Sequence, residues 1–151
     1  MPVRRSFAVR WSDTDANGHV RHTIYAEMGV ESRMSWLDQG GFGWAWFEER
    51  GLGPVLLEER IEYLRELGIG ETVQVDMVLC GGSADGGRWR MRHTVTRASG
   101  ETAARVTALG GWIDLRARRL ALPPPELAAY LRSGPRSDDF EVLPPLRRQG
   151  P

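Results

Sequence analysis

The chain has 151 residues, 41% hydrophobic and 26% charged, which is enough for one domain with a substantial core. Its 20 basic side chains balance 20 acidic ones, so no global charge favours a nucleic acid or an anionic membrane as partner. A single cysteine excludes an internal disulfide. The N-terminus lacks the apolar run of a signal peptide, and no run approaches the ~20 residues that span a bilayer, so we expect a cytoplasmic protein.

The first part of the sequence predicts one strand and one long helix. Residues Phe7–Ser12 alternate apolar and polar side chains, which is the period of a half-buried strand. The segment Thr23–Asp38 has the pattern of a helix, with Val30, Met34 and Leu37 on one face. A second ridge of small side chains would let this helix approach a sheet closely. We therefore expect a largely buried central helix that ends at a pair of glycines.

The rest of the chain predicts a meander of strands. A short helix at 43–50 precedes four strand-like stretches, which are Pro54–Arg65, Thr72–Cys80, Arg88–Arg97 and Thr102–Leu115. Gly110–Gly111 interrupts the last stretch, which indicates a bulge or a close approach. One long helix with antiparallel strands makes an α+β fold, in which the helix covers one face of a curved sheet.

The C-terminal part predicts less structure. Proline leads into a short helix at Glu126–Arg132. The segment 133–151 is rich in proline, arginine and aspartate, which is typical of a loosely ordered tail. The folded domain is accordingly expected to span residues 1–132.

The stretch DTDANG, which begins at Asp13, has the acidic spacing of a calcium loop. The twelfth position of such a loop requires a bidentate carboxylate, but Ile24 stands there, so the pattern excludes an EF-hand. A transition-metal site would use His19 and His22 with the two aspartates. A purely structural turn from strand to helix, with glycine at a positive φ angle, is the other interpretation.

Two longer stretches resemble the hot-dog-fold thioesterases of the 4-hydroxybenzoyl-CoA thioesterase type. The first is a strand that leads into DTDANGHV and then into a helix with an early tyrosine, HTIYAEMGVESR. The second is IEYLRELGIGETVQV, which is similar to the family's strand–turn–strand segment. Many relatives carry two asparagines after GHV, where this chain has Arg21 and His22. Glu66 and Glu71 replace the proline and the aspartate usual in the second motif.

The resemblance covers residues 7–122 and implies a single hot-dog domain, in which a curved antiparallel sheet wraps around the long helix. It implies an acyl-CoA or acyl-carrier thioesterase with Asp15 as nucleophile or general base and the amide of His22 as oxyanion donor. It implies no cofactor beyond the coenzyme A of the substrate, no metal, and a homodimer or a homotetramer. The substrate-binding residues that it implies are Gly18, His19, Val20, Thr23, Tyr25, Arg88 and Arg90.

Several other side chains have a structural interpretation beside a functional one. Asp13 and His19 are expected to shape the loop rather than to react. Cys80 lies in an apolar run and His93 on the apolar face of its strand, so we expect a buried inert thiol and a core histidine whose hydrogen bonds are satisfied. Arg88, Arg90 and Arg92 form a stripe, which is either a solvated sheet face or a contact for the phosphates of coenzyme A.

Three functional hypotheses are compatible with the sequence. The first is the thioesterase. The second is a non-catalytic hot-dog protein that binds acyl or aromatic ligands, which the pair Arg21–His22 suggests. The third is a metal-dependent enzyme that uses His19, His22 and the aspartates. The sequence does not specify an acyl group, because the depth of the pocket depends on packing between subunits.

Overall fold

A computed structural model describes residues 2–146 and contains three α-helices and seven strands in that range. The helices are α1 (His22–Gln39), α2 (Trp44–Arg50) and α3 (Pro125–Ser133). The strands are β1 (Val3–Ala8), β2 (Leu52–Tyr63), β3 (Thr72–Ser83), β4 (Arg88–Thr96), β5 (Thr102–Asp114), β6 (Arg119–Ala121) and β7 (Arg136–Leu143).

The strands form one sheet with the order β1–β3–β4–β5–β2, and all neighbours along this path are antiparallel. Strand β6 pairs with β5, and β7 pairs with β3 in the parallel direction. Helix α1 packs against β1, β3, β4 and β5. The predicted α+β class, with an antiparallel sheet around one long helix, is confirmed.

Helix α1 begins and ends within one residue of the predicted bounds, but its buried face differs from the one predicted. Val30 is exposed, because the face that meets the sheet runs through Ile24, Met28 and Trp36. The ridge of small residues does lie at the contact. A Cβ atom at Gly29 would stand 3.2 Å from the ring of His93, so the absence of a side chain there lets the helix lie close to β4.

The predicted strand at 7–12 is displaced towards the N-terminus. Strand β1 ends at Ala8, and residues Trp11–Asp13 form a single 3-10 turn. Trp11 is 79% exposed instead of contributing to the inner face of a strand. The turn forms because the Arg10 backbone carbonyl accepts a hydrogen bond from the Asp13 backbone N–H at 3.0 Å, which bends the chain away from β3.

The expectation of a loose tail at 133–151 is wrong for its first part. Ser133 closes α3, and residues Arg136–Leu143 form β7 beside β3. Two ion pairs hold this strand: Arg90 to Glu141 and Arg92 to Asp139, each at 2.8 Å. Charges that suggested a solvated tail are instead neutralised by arginines of β4. Residues 147–151 lie outside the described part of the chain.

Glycine at position 110 marks the point of close approach predicted from the sequence. A Cβ atom there would lie 2.6 Å from the carbonyl oxygen of Val55 and would also overlap the ring of Trp89. The bulge itself is in the neighbouring strand β2, where the register shifts between Leu56 and Glu58. The glycine thus leaves room for the indole of Trp89, whose N–H donates to the Gly111 carbonyl oxygen at 3.3 Å.

We predict that Gly110→Ala destabilises the protein by roughly 1–3 kcal/mol, because the methyl group overlaps backbone and a buried indole that have no space to move. The measurement is urea unfolding. Gly53→Ala is the matched control, since the nearest atom to its added methyl group is 3.9 Å away in the adjoining strand. Equal stability of the two variants would contradict this account of the close approach.

The core contains polar groups that lack partners. His93 is fully buried as predicted, but the expectation of satisfied hydrogen bonds is wrong, since neither ring nitrogen has a partner among residues 2–146. Burial lowers the pKa of His93 to about 3, and the charge of Arg33 acts in the same direction. A nearby backbone group of Asp76 acts in the opposite direction and raises the pKa of His93, although its geometry is not that of a hydrogen bond. Arg33 itself is only 4% exposed.

His93 predicts a specific pH dependence of stability. The folded protein keeps His93 neutral down to a pKa of about 3, whereas the unfolded chain has the ordinary value of 6.5. Unfolding below pH 6.5 therefore takes up a proton, and the free energy of unfolding falls as the pH drops from 6.5 towards 3. The contribution of this residue is about 1.4 kcal/mol per pH unit.

Between pH 7 and pH 5, the free energy of urea unfolding should fall by about 2 kcal/mol less in His93→Leu than in the wild-type protein. Val95→Ala is the control, because it alters the buried face of the same strand without removing a titratable group and should leave the slope unchanged. If all three proteins respond alike to pH, His93 is not the group that titrates on unfolding.

Cys80 is 2% exposed, as predicted, and burial raises the pKa of its thiol. Its Sγ atom donates a weak hydrogen bond to the Arg90 carbonyl oxygen at 3.6 Å.

Within residues 2–146, no helix has the length and apolar character needed to cross a bilayer.

Candidate active site

The loop between β1 and α1 is built around Asp15. The Asp15 N–H donates to the carbonyl oxygen of His19 at 2.8 Å, and the Gly18 N–H donates back to Asp15 at 3.1 Å. Gly18 has a φ angle of 77°, which favours glycine. The carboxylate Oδ1 accepts the backbone N–H groups of Asn17 at 2.9 Å and His19 at 3.2 Å. The carboxylate of Asp15 is thus held by the loop that it shapes.

A second set of contacts fixes this loop to the segment between β2 and β3. The Val20 N–H donates to the carbonyl oxygen of Leu67 at 2.8 Å, and His19 forms a bridge with Gly68. The His19 Nε2 lies 3.1 Å from a carboxylate oxygen of Glu66. His19 therefore helps to fix the turn, and its role in binding substrate stays a prediction.

Asp13 has the structural role predicted for it. Its side chain is buried and accepts hydrogen bonds from the Arg10 backbone N–H at 2.8 Å and from the Arg10 guanidinium at 2.9 Å. The hydrogen bond from the Arg10 side chain holds the pKa of Asp13 below its ordinary value. Its carbonyl oxygen accepts the Arg21 N–H at 2.8 Å, so Asp13 ties the start of the loop to its end.

The start of α1 presents free donors. Arg21 is the N-cap residue and provides no side-chain cap. Among residues 2–146, no acceptor is bonded to the N–H groups of His22 and Thr23, the first two residues of the helix. The Thr23 hydroxyl oxygen accepts a hydrogen bond from the Arg21 guanidinium at 3.1 Å. These amides, together with the dipole of an 18-residue helix, make the helix tip electropositive.

Asp15 and the tip of α1 face the same space. A cleft of about 870 Å³ opens there, and we call it the loop cleft. Its lining residues from the loop and helix are Asp15, Asn17, His19, Val20, His22 and Tyr25. The structure thus brings together five of the nine predicted site residues. Gly18 and Thr23 are next to lining residues in the sequence but do not line the cleft themselves.

The other wall of the loop cleft comes from residues that the sequence analysis did not assign to the site. They are Tyr63, Leu64, Arg65, Glu66, Leu67, Gly68, Glu71 and Arg97. Tyr63 contacts the ring of Tyr25 edge-on, with centroids 5.5 Å apart. Glu66 and Glu71 are departures from the second family motif, which marks them in the sequence, but their positions do not reveal that they line the same cleft as Asp15.

Glu71 is a structural carboxylate of this wall. It accepts the Gly68 N–H at 2.6 Å and the Arg97 guanidinium at 2.9 Å. These bonds, with the one from Gly68 foremost, keep the pKa of Glu71 below its ordinary value. Both carboxylate oxygens of Glu71 accept hydrogen bonds. Asp15 and Glu66 are the other two carboxylates that line the cleft, and neither is paired with an arginine.

Arg88 and Arg90 do not line the loop cleft. They lie on β4 with their side chains on the face of the sheet opposite His93, as the alternating pattern predicts. Arg90 is paired with Glu141. Their role in binding substrate stays a prediction.

The metal hypothesis receives no geometric support. In the part of the chain that the structure describes, no three His, Cys, Asp or Glu side chains converge as metal ligands would. Asp13, one of the proposed ligands, is turned towards Arg10.

A protein-family model described as the thioesterase-like superfamily matches residues 9–131, which is most of the chain. The chain belongs to this superfamily. Among curated proteins, none matches the sequence.

Solved structures share the fold across nearly the whole chain. A hypothetical protein from Staphylococcus aureus in complex with CoA has a TM-score of 0.82 at 18% identity, over 98% of this chain and 89% of that chain. A 1,4-dihydroxy-2-naphthoyl-CoA thioesterase from Synechocystis has a TM-score of 0.79 at 20% identity, over 88% and 97%. A DHNA-CoA thioesterase from Staphylococcus aureus has a TM-score of 0.74 at 19% identity, over 80% of both chains. The hot-dog fold is therefore shared.

Proposed function

We propose that the protein hydrolyses an acyl-CoA or acyl-carrier thioester in the loop cleft. One observation carries the proposal: the carboxylate of Asp15 and the free amides at the tip of α1 line the same cleft. A carboxylate beside unpaired backbone donors can supply both parts of thioester hydrolysis, which are an attacking group or base and a site for the developing oxyanion.

Thioester chemistry suits this sparse set of groups. The leaving thiol has a pKa of about 8.5, so it departs as thiolate without strong general-acid assistance. A carboxylate can attack the carbonyl carbon directly or can accept a proton from an attacking water. A serine–histidine pair is therefore not required, and the sequence contains no GxSxG motif.

The bonds made by Asp15 assign different tasks to its two oxygens. Oδ1 accepts the two loop amides, which orient the carboxylate. Oδ2 has no hydrogen-bond partner among residues 2–146 and is available to a water or to the thioester carbon. The amide of His22 is then the oxyanion donor, and one such donor is worth roughly 3–4 kcal/mol in the transition state.

Coenzyme A is the carrier that the relatives favour. The structural neighbours include proteins named as CoA thioesterases and one in complex with CoA, which supports a CoA thioester as substrate class. On the strength of the motif resemblance, we propose that the chain is of the 4-hydroxybenzoyl-CoA thioesterase type. Arg65 lies at the loop cleft without a carboxylate partner in the described chain, and we assign it to the phosphates of the carrier.

A non-catalytic protein that binds acyl ligands is the second candidate. It is favoured by the exposure of Asp15 in the single chain and by the loop bonds of Oδ1, because these features also fit a carboxylate that only shapes the turn. Tight binding of acyl-CoA with no release of thiol would distinguish it from the enzyme.

We further propose that two chains pair through β2. This strand has 12 residues, ends the sheet on one side, and exposes Leu56 and Leu57 by 44% and 43%. An unpaired strand edge with exposed apolar side chains is a template for pairing with another chain. A homodimer, or a homotetramer made of two such dimers, would cover it.

Asp15→Asn should lower kcat by at least about 100-fold, because the amide cannot act as nucleophile or base. Asparagine keeps an Oδ1 acceptor for the two loop N–H groups, so the loop should persist. The assay is thiol release across short, long and aromatic acyl-CoAs, with thermal unfolding to verify the fold. Asp138→Asn, a change on β7 outside the loop cleft, is the matched control. Unchanged turnover in Asp15→Asn would remove Asp15 from the mechanism.

Leu56→Arg should shift the protein towards the monomer in sedimentation velocity, because the new charge would be desolvated at the paired edge. Val142→Arg is the control, as this residue is 75% exposed on β7 at the other side of the sheet. A sedimentation coefficient unaffected by Leu56→Arg would indicate that β2 is not the interface.

A further inference from the structure

A second, smaller cleft lies at the end of the sheet far from β2 in the strand order. Strands β3 and β7 form its floor and α3 forms one wall, and its volume is about 230 Å³. We call it the C-terminal cleft. It shares no lining residue with the loop cleft. It exists because the segment 136–143, which was predicted to be a loose tail, forms a strand beside β3.

The floor and walls of this cleft are mostly apolar. The large side chains that line it are Leu79, Trp89, Leu131, Phe140 and Val142. Two glycines of β3, Gly81 and Gly82, leave the backbone open beside Phe140. Such a surface can bury a hydrocarbon chain or an aromatic ring, and Val142 is 75% exposed there in the single chain.

The charged residues that line the C-terminal cleft are all arginines. Its lining includes Arg88, Arg132 and Arg136 and no aspartate or glutamate. None of the three guanidinium groups forms an ion pair within residues 2–146, whereas Arg90 and Arg92 on the same sheet are both paired. The side chain of Arg88 lies on the other face of β4 from Trp89, so Arg132 and Arg136 are the arginines whose free guanidinium groups attract an anion with an apolar body.

One of these arginines is already positioned. The guanidinium carbon of Arg136 lies 4.3 Å from the centre of the Phe140 ring, so the side chain is stacked at the cleft. Stacking lowers the conformational freedom that Arg136 would lose when it binds an anion. A planar guanidinium held in this way is suited to two parallel hydrogen bonds with a carboxylate.

We propose that the C-terminal cleft binds a small free carboxylic acid, with its aliphatic or aromatic body on Trp89, Leu131 and Phe140 and its carboxylate between Arg132 and Arg136. The volume of about 230 Å³ is below the ~300 Å³ at which pockets for drug-sized ligands begin, so a short body is the right size. The site goes beyond the proposed hydrolysis and does not depend on it.

The test is calorimetric titration of the full chain with octanoate, and with octan-1-ol and octylammonium as probes of the same length. Octanoate should bind at least tenfold more tightly than octan-1-ol, and octylammonium should not bind. The double variant Arg132→Gln/Arg136→Gln should weaken octanoate at least tenfold. Arg60→Gln/Arg105→Gln is the matched control, because it also removes two positive charges but from residues that do not line this cleft.

Other outcomes would overturn the proposal. Octanoate and octan-1-ol binding equally well would make the cleft a neutral apolar site. Loss of octanoate binding in Tyr63→Ala, with none in the double arginine variant, would place the acid in the loop cleft. If the double variant weakens the binding of coenzyme A but not that of octanoate, the two arginines bind phosphate and not a carboxylate. Thiol release is assayed separately, so each of these results leaves the proposed hydrolysis untouched.

Discussion

The hydrogen bonds within the loop at residues 13–21 are the constraint on which the loop cleft depends. Asp13 ties the two ends of the loop together, Asp15 organises its middle, and Val20 anchors it to Leu67. Most of these bonds involve backbone groups, so the position of the Asp15 carboxylate relative to the tip of α1 follows from main-chain geometry.

Helix α1 serves both the core and the site. Its inner face is packed so closely that Gly29 and Ser32 are buried, while its N-terminal amides remain free. The same packing buries both ring nitrogens of His93 and the Nη1 atom of Arg33 without a hydrogen-bond partner in the described chain, and a buried polar group without a partner costs about 1–3 kcal/mol. The protein therefore retains these two groups against the preference of a core for apolar residues.

The two clefts differ in the chemistry that they offer. The loop cleft combines carboxylates, imidazoles and tyrosines with free amides, which suits a reaction at a polar carbon centre. The C-terminal cleft is smaller and mostly apolar, and its only charges are arginines. A reactive site and an anion-binding site can thus occur in one small domain because the sheet and α3 place them at separate edges.

The sequence by itself determined the α+β class, the bounds of α1, the close approach at Gly110 and the loop that carries Asp15, because these features depend on local periodicity and on glycine. Only the tertiary structure decided that Glu66 and Tyr63 face Asp15, that Arg88 lies in a different cleft, and that residues 136–143 add a strand to β3. The physical reason is range. A repeating pattern reports on neighbours a few positions apart, whereas the cleft walls and the pairs of Arg90 and Arg92 join residues about 50 positions apart, which only folding brings into contact.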